Sequence, residues 1–574
     1  MPDVRFDTYY RYDDLTKLLH RYTEEYPDLV RLESIGRSWE GRDIWVAAVT
    51  NEASGPDVDK PAFWVDGNIH ANEVSGSSAC LYLIDYLAKR YAHDDEVTRC
   101  LDTRAFYVCP RVGPDGAELY LSDRPRFLRS STRPYPHQDE DGEGLVMEDM
   151  DGDGRMLTMR IPDGNGHWKI CPEEPRLLVE RDPAETGGEY FRLLWEGRIE
   201  GWDGALIRRK RHTERLDLNR NFPVSWRGEH EQPGAGRFPA SEPEVASVVR
   251  FIASRPNVIG GLAFHTWGGV LLRPYGDRGD DAFPEDDLRT YEKIGRKAAE
   301  ITGYSAPSGS MRWFQDPAEP MTGLFKDWMY EMQGGFGWIV ELWNPYEKAG
   351  IEDFRYGTWF RDHPLEHEIK LLRWSDEALG GRGYVDWYPF EHPQLGKVEL
   401  GGWDWQHMIS NPPPQMLERE IAPFAPWLTW HLLVSPRLEI LDARAEPLQG
   451  DVYRVRLVVQ NSGWLPTYVT KRALEKKLVR GVVCEITLPE GASLANGAAK
   501  QELSQLEGRA YKPSFLGTSM GMDPTDDRAK AEWVVRAPAG GTVRLVARHE
   551  RAGKAQVELL LGAEHRGGKR GSPR

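Results

Sequence analysis

A short apolar run followed by a polar turn and a helical pattern constrains the fold of this chain most. The run Pro61–Val65 precedes the stretch His70-Ala-Asn-Glu73, and apolar residues then recur from Cys80 to Leu87 at the 3.6-residue spacing of a helix. This order predicts a buried strand, a turn and a packed helix. A His and a Glu in such a turn can bind one metal ion, and a catalytic zinc ion needs a third protein ligand and an open position for water. The H-x-x-E pattern alone is also found in ordinary surface loops, so the rest of the chain is needed to distinguish a metal site from such a loop.

Strand and helix patterns alternate over the first 434 residues, apart from one stretch. This alternation predicts an α/β domain, residues 1–434, with a mixed, mostly parallel sheet sandwiched by helices. Two further apolar runs end at polar residues: Val258–Phe264 ends at His265, and Phe336–Val340 ends at Glu341. Because functional sites in such sheets lie beyond the carboxyl ends of the strands, His265 is a candidate third ligand and Glu341 a candidate base.

The stretch from about 130 to 210 interrupts the alternation and is predicted to be an acidic, glycine-rich insertion. Within it, residues 149–154 match the first half of a calcium-binding loop, in which alternate carboxylates face one cation and a glycine permits the turn. The glutamate expected at the twelfth loop position is absent, and Arg160 stands there. A solvated acidic loop without metal is therefore an equal alternative. The candidate calcium ligands are Asp139, Asp141, Asp149, Asp151 and Asp153.

From Ser435 onward, apolar residues alternate with a period of two and turn residues separate the runs. This pattern predicts a second, all-β, sandwich-like domain over residues 435–574, with a basic tail that frays. The net charge of −17 argues against nucleic acid as a partner. No apolar run reaches about 18 residues, so no membrane span is predicted. No signal-type segment is seen, which favours a cytoplasmic protein, or a secreted one if a signal has been removed.

Several motifs in order along the chain resemble the carboxypeptidase A-like zinc metallocarboxypeptidase family over roughly residues 5–430. The matching motifs are Tyr26-Pro-Asp-Leu-Val30, Gly36-Arg-Ser-Trp-Glu-Gly-Arg42, His70-Ala-Asn-Glu73, Gly113-Pro-Asp-Gly116, Leu216-Asp-Leu-Asn-Arg-Asn-Phe222, Phe264-His-Thr266, Asp327-Trp328 and Val340-Glu-Leu342. Each motif is weak alone, but their shared order is specific. The resemblance implies hydrolysis of the C-terminal peptide bond of peptide substrates, with zinc as cofactor.

The resemblance also implies a role for individual residues. His70, Glu73 and His265 would bind zinc, and Glu341 would be the general base. Asn219 and Arg220 would bind the terminal carboxylate of the substrate. Arg129 would polarise the scissile carbonyl, with Arg126 and Arg133 as alternatives because the insertion begins nearby. Lys326 matches the base of the side-chain pocket and would favour acidic C-terminal residues; the alternative is an ordinary exposed lysine.

The chain departs from the family pattern in two places that matter for the site. Asn72 stands where many members have an arginine between the two ligands, and no tyrosine stands in the 316–320 region, where the family's mobile active-site tyrosine is expected. Two alternative functions remain open from the sequence. One is a peptidase of the same fold acting on cell-wall muropeptides or γ-linked peptides, and the other is an inactive scaffold that binds a partner through its β domain. The oligomeric state is not readable.

Overall fold

The computed structural model describes residues 4–134, 143–208, 216–307, 320–352, 354, 359, 363–512 and 523–562. The strands of the first half are β1 (Val30–Arg37), β2 (Asp43–Val49), β3 (Ala62–Gly67), β4 (Ala105–Cys109), β5 (Gly144–Met147), β6 (Thr158–Pro162), β7 (Trp168–Ile170), β8 (Leu178–Glu180), β9 (Phe191–Trp195), β10 (Gly197–Glu200), β11 (Val258–Thr266), β12 (Val270–Leu272) and β13 (Phe336–Leu342). The later strands are β14 (Tyr384–His392), β15 (Gly396–Trp403), β16 (Leu438–Gln449), β17 (Val452–Asn461), β18 (Val483–Thr487), β19 (Ser493–Asn496), β20 (Lys500–Glu502), β21 (Arg528–Arg536), β22 (Thr542–His549) and β23 (Gly553–Leu560).

The described α-helices are α1 (Tyr12–Glu25), α2 (Ser75–Arg90), α3 (Asp95–Thr103), α4 (Pro114–Tyr120), α5 (Pro243–Ala253), α6 (Glu285–Thr302), α7 (Phe325–Glu331), α8 (Pro345–Lys348), α9 (Leu365–Leu379), α10 (Pro414–Ile421), α11 (Phe424–Leu433) and α12 (Lys471–Glu475). A π-helical turn, Trp405–Ile409, precedes α10. Within the residues that the structure covers, no helix has both the length and the apolar composition needed to cross a bilayer.

The central sheet has seven strands in the order β1-β2-β4-β3-β11-β13-β12. The four inner strands β4, β3, β11 and β13 run parallel, and the outer pairs are antiparallel. Every residue of β3, β4 and β11 is buried, because helices cover both faces of the sheet. One apolar cluster packs α1, α2, α6 and α11 on one face, and another packs α5 and α7 on the opposite face. The predicted mixed sheet sandwiched by helices is confirmed.

The stretch between β4 and α5 contains more regular structure than its sequence suggested. Strands β6, β7, β8 and β9 join the later hairpin β14–β15 in a six-stranded sheet, ordered β14-β15-β6-β9-β7-β8, while β5 pairs with β10. The guanidinium of Arg160 lies between the rings of Phe191 and Trp387, 4.9 and 4.7 Å from their centroids. These strands have three to five residues, and their sheet partner comes from more than 200 positions later. A pattern read over consecutive residues therefore could not reveal them.

The C-terminal region forms two four-stranded sheets, ordered β16-β17-β21-β19 and β20-β18-β22-β23. Their apolar faces share one core, in which Val455, Trp533 and Leu545 are buried. Side chains alternate between buried and exposed along β21, as expected for a strand with one face in a core. The predicted all-β sandwich architecture is confirmed for this region.

Candidate active site

His70, Glu73 and His265 meet at the carboxyl edge of the central sheet. The turn after β3 carries the first two residues, and the neighbouring parallel strand β11 carries the third. Nδ1 of His70 lies 2.8 Å from Oε1 of Glu73, and Nδ1 of His265 lies 2.9 Å from Oε2 of the same carboxylate. The two Nδ1 atoms are 3.1 Å apart, and all three side chains are buried. The adjacency of β3 and β11 thus brings together residues that are 195 positions apart.

The geometry of these three side chains fits a zinc ion. Ligand atoms about 2.0–2.1 Å from a tetrahedral zinc ion lie about 3.3 Å from one another. The donor atoms of the cluster are within 4.8 Å of one another, and the closest pairs are 2.8, 2.9 and 3.1 Å apart. Two imidazoles and one carboxylate are also the donor types that zinc prefers in catalytic sites, where the fourth position stays open.

Asp217 supports this cluster, and the sequence-based reasoning did not single it out. Its Oδ1 lies 2.9 Å from Nε2 of His70, and its Oδ2 accepts a hydrogen bond from Nε of Arg129 at 3.1 Å. A carboxylate on the second nitrogen of an imidazole fixes the tautomer and the orientation of a ligand histidine. The charges of Arg220 and Arg129 outweigh desolvation and hold the pKa of Asp217 well below its ordinary value. The sequence did offer one indication of Asp217, because this acid stands two residues before Asn219 in the same motif.

Among the three arginines that the sequence left open, Arg129 is the one beside the cluster. Its Nη1 lies 3.4 Å from Oε1 of Glu73, and its side chain is one-third exposed, so it faces the solvent side of the site. Arg133 instead forms a buried bidentate ion pair with Glu242. The backbone of Arg126 forms a bridge with Glu148. Of the three, Arg129 is the one whose guanidinium is shown within 3.4 Å of a residue of the cluster.

Asn219 lies beside His265, and Arg220 lies beside Asp217. Oδ1 of Asn219 accepts a hydrogen bond from the backbone N–H of Phe325 at 2.8 Å, and its Nδ2 lies 3.4 Å from Nε2 of His265. Nη1 of Arg220 donates to the carbonyl oxygen of Asn219 at 2.9 Å. An amide and a guanidinium side by side can together bind a carboxylate.

Glu341 lies next to His265, because these two residues face each other in the register of β13 and β11. Desolvation raises the pKa of Glu341 to about 7; the nearby Glu73 also raises it, while His265, Arg129 and Arg220 lower it. A carboxylate with a pKa near neutrality can both accept and return a proton at physiological pH.

Lys326 and Asn72 are both buried and make hydrogen bonds within the protein. Lys326 is fully buried and its Nζ pairs with Oδ1 of Asp327 at 2.6 Å, so the expectation of an ordinary exposed lysine is wrong. The side chain of Asn72 donates to Oγ of Ser410 at 3.3 Å and is buried. Asn72 therefore has a structural contact at the position where the family's arginine was expected.

Three of the five candidate calcium ligands lie close together, namely Asp149, Asp151 and Asp153. The oxygens of Asp149 accept hydrogen bonds from the N–H groups of Gly152 and Gly154, and the remaining two carboxylates are exposed. Asp139 and Asp141 lie outside the described residues.

The fold and the site define an α/β protein with a buried His–Glu–His cluster at the edge of its sheet. The family model described as "Zinc carboxypeptidase" matches residues 15–150 and 191–356, more than half of the chain. The chain therefore belongs to the zinc carboxypeptidase family, whose name implies zinc as the metal. A second model, "Domain of unknown function (DUF8731)", matches residues 437–559 in the β-sandwich.

The chain is also similar to individual proteins. Carboxypeptidase D of Drosophila melanogaster is 33% identical over 413 residues, which is 66% of this chain and 22% of that protein. Carboxypeptidase D of Anas platyrhynchos is 36% identical over 110 residues, 19% of this chain and 8% of that protein. The matched regions thus span less than a quarter of these relatives.

Solved structures show a weaker likeness. The carboxypeptidase A from Helicoverpa armigera is 19% identical, with a TM-score of 0.38 and coverage of 65% of this chain and 74% of that chain. Thrombin activatable fibrinolysis inhibitor is 20% identical, with a TM-score of 0.38 and coverage of 59% and 67%. Because both TM-scores are below 0.5, the family assignment does not rest on them.

Proposed function

We propose that this protein is a zinc-dependent metallocarboxypeptidase that hydrolyses the C-terminal peptide bond of peptides. The observation that carries the proposal is the convergence of His70, Glu73 and His265 on one point. Near this cluster lie Glu341, which we assign as the general base, the guanidinium of Arg129, and the pair Asn219 and Arg220. Family membership supports the same reaction class.

His70, Glu73 and His265 would hold the zinc ion, which would supply a Lewis acid and lower the pKa of a bound water to about 7. Glu341 accepts the proton of the attacking water and returns it to the leaving amine. Arg129 stabilises the negative charge that develops on the scissile carbonyl oxygen.

Asn219 and Arg220 bind the terminal carboxylate of the substrate in this mechanism. Because their contact fixes the end of the peptide chain, the adjacent bond is the one placed for attack. The enzyme is thus an exopeptidase through binding geometry and not through a different chemistry.

The proposal is tested by the zinc content of the protein and by the release of C-terminal residues from peptides ending in Glu, Lys, Phe and Ala. Glu341→Gln keeps the shape of the side chain and removes the base. We expect the variant to retain stoichiometric zinc and to lose hydrolysis by at least a hundredfold. Retention of activity would contradict the assignment of Glu341, and a wild-type protein without zinc and without hydrolysis would favour the scaffold alternative. A parallel set of γ-linked and muropeptide substrates separates the two peptidase alternatives.

Calcium binding by Asp149, Asp151 and Asp153 stays a prediction of the sequence. A melting temperature that rises with millimolar calcium, and does not rise in Asp151→Asn, would support it. Equal melting temperatures with calcium and with a chelator would contradict it.

A further inference from the structure

Helix α7 connects the candidate substrate site to the β-sandwich. At its beginning, the N–H of Phe325 donates to Oδ1 of Asn219 at 2.8 Å. Seven residues at a rise of 1.5 Å give α7 a length of about 10 Å. The carbonyl oxygen of Gly323, just before the helix, accepts a hydrogen bond from the N–H of Phe222 at 3.1 Å. Two hydrogen bonds, at Phe325 and Gly323, therefore attach the beginning of α7 to the loop that carries Asn219 and Arg220.

The hydrogen bond from the N–H of Phe325 fixes the orientation of the side-chain amide of Asn219. An asparagine side chain has one acceptor and one donor end, and the hydrogen bonds around it determine which end faces which neighbour. Since Oδ1 is bound by Phe325, the donor Nδ2 is the end that lies near His265, 3.4 Å from Nε2. A displacement of α7 would release this constraint on Asn219.

Residues of the β-sandwich bind the other end of α7. Arg551 is buried and donates from Nη1 to the carbonyl oxygen of Gly334 at 2.8 Å and from Nη2 to the carbonyl oxygen of Gln333, both just past the helix. The hydroxyl of Thr470 donates to the same Gly334 oxygen at 2.9 Å. Nζ of Lys476 donates to the carbonyl oxygen of Glu331 at 3.0 Å and pairs with its carboxylate. Three residues of one domain thus hold the end of a single helix of the other.

The contact at Gly334 leaves no room for a side chain. This residue has a φ of +65°, and a Cβ added to it would lie 2.5 Å from Cβ of Ala473 in α12. Desolvation lowers the pKa of Arg551 to about 10, so its guanidinium remains charged at neutral pH. A buried charged group of this kind is stable only while its hydrogen-bond partners stay in place. The interface therefore tolerates little movement of the chain that follows α7.

We propose that the β-sandwich acts as a brace that fixes α7 and, through it, the orientation of the Asn219 amide in the substrate site. This proposal rests on the proposed function, in which Asn219 binds the terminal carboxylate of the substrate. Arg551 and Thr470 are then positioning residues, because they act on the site through the helix. The C-terminal region that matches a domain of unknown function becomes a working part of the peptidase.

The test compares Arg551→Met with Arg548→Met in the full-length, zinc-loaded protein. Arg548 is three residues away and also reaches the first domain, where its Nη1 lies 3.8 Å from a carboxylate oxygen of Asp59, but it does not contact α7. We expect Arg551→Met to raise KM about five- to twentyfold with kcat within twofold, as expected when the binding of substrate and transition state is weakened equally. Arg548→Met is expected to leave both constants unchanged. Equal effects of the two variants on KM would overturn the proposal.

A second measurement does not depend on activity. Hydrogen exchange at the Phe325 amide is expected to accelerate at least fivefold in Arg551→Met and to stay unchanged in Arg548→Met. Unchanged exchange at this amide in folded Arg551→Met would overturn the brace. Where Arg551→Met does not fold, Thr470→Val removes one of the same contacts and has the same expected outcomes. A wild-type protein that releases no C-terminal residue would instead count against the proposed function, whereas the exchange data would still test the brace.

Discussion

The side-chain amide of Asn411 donates to the backbone carbonyl of Asn72 at 2.8 Å, across 339 positions of sequence. Oδ1 of the same side chain accepts hydrogen bonds from the backbone N–H and the hydroxyl of Ser75, both at 3.1 Å. One buried amide therefore connects the middle of the turn that carries His70 and Glu73 with the first residue of α2. The conformation of the turn that carries the candidate zinc ligands therefore depends on Asn411, a residue far along the chain.

Replacement of this amide is expected to weaken metal binding. Asn411→Ala removes both the donor and the acceptor, and the turn between the two ligands loses its fixed geometry. Support of this kind around metal ligands typically changes affinity by about 10- to 100-fold. We expect a loss of that size, measured by competition for zinc with a coloured chelator.

Asn461→Ala is the matched control for Asn411→Ala. Asn461 is also buried, donates to two carbonyl oxygens and accepts hydrogen bonds from two backbone N–H groups, but it lies in the β-sandwich. It should lower the melting temperature while leaving zinc affinity unchanged. Equal losses of zinc affinity in both variants would show that general destabilisation explains the effect.

Asp217→Asn tests the carboxylate behind His70. The substitution keeps the size of the side chain but removes the charge that orients the imidazole and raises its basicity. We expect zinc affinity to fall at least tenfold, with a parallel loss of hydrolysis. Arg129→Met serves as the comparison, because it removes another partner of Asp217 and should reduce kcat while zinc affinity changes less than threefold. Unchanged zinc affinity in Asp217→Asn would argue against this supporting role.

The positions of the main site residues could be predicted because the information is local. His70, His265 and Glu341 each follow a continuous apolar run, and the inner parallel strands β3, β11 and β13 are buried on both faces. Their carboxyl ends must meet at one edge of the sheet, so polar residues at those ends converge. The family resemblance then supplied a role for each residue.

Other features depend on contacts between distant segments, which residue patterns do not contain. The six-stranded sheet joins the insertion to residues 384–403, and neither part has a periodicity long enough to reveal the pairing. The contact between Asn411 and Asn72 has the same origin. The burial of Lys326 could not be predicted, because the sequence does not show that the side chain of Asp327 pairs with the ammonium group in the core.

The pairing of Lys326 with Asp327 leads to a prediction about specificity. The ammonium group is already neutralised, so we expect wild-type protein to favour peptides ending in Glu over Ala only weakly, within about fivefold in kcat/KM. Asp327→Asn keeps an acceptor for the N–H of Gly276 and leaves Lys326 without its counter-charge, so that a substrate carboxylate can take that place. The Glu-to-Ala ratio should then rise about tenfold, equivalent to about 1.4 kcal/mol. An unchanged ratio would show that Lys326 does not face the substrate side chain.

His431 gives a prediction for stability in acid. It is fully buried in α11, and its Nε2 accepts a hydrogen bond from Nε1–H of Trp338 at 3.1 Å. Desolvation lowers the pKa of His431 from 6.5 to about 4. Protonation would also place an N–H against the N–H of Trp338. Between pH 6.5 and 4 the unfolded chain binds a proton that the folded chain does not, so stability should fall as the pH falls through this window, by roughly 3 kcal/mol in total.

His431→Gln separates this contribution from other acid effects. A glutamine oxygen can still accept the hydrogen bond from Trp338, but it does not titrate in this range. We expect the melting temperature of the variant to fall less steeply than that of the wild type between pH 6.5 and 4, with the difference largest near pH 4. His230→Gln is the control, because the side chain of His230 is 82% exposed. If the curves of melting temperature against pH were parallel for the wild type and His431→Gln, His431 would not be the group that lowers stability in acid. Other titrating groups would then have to account for the loss.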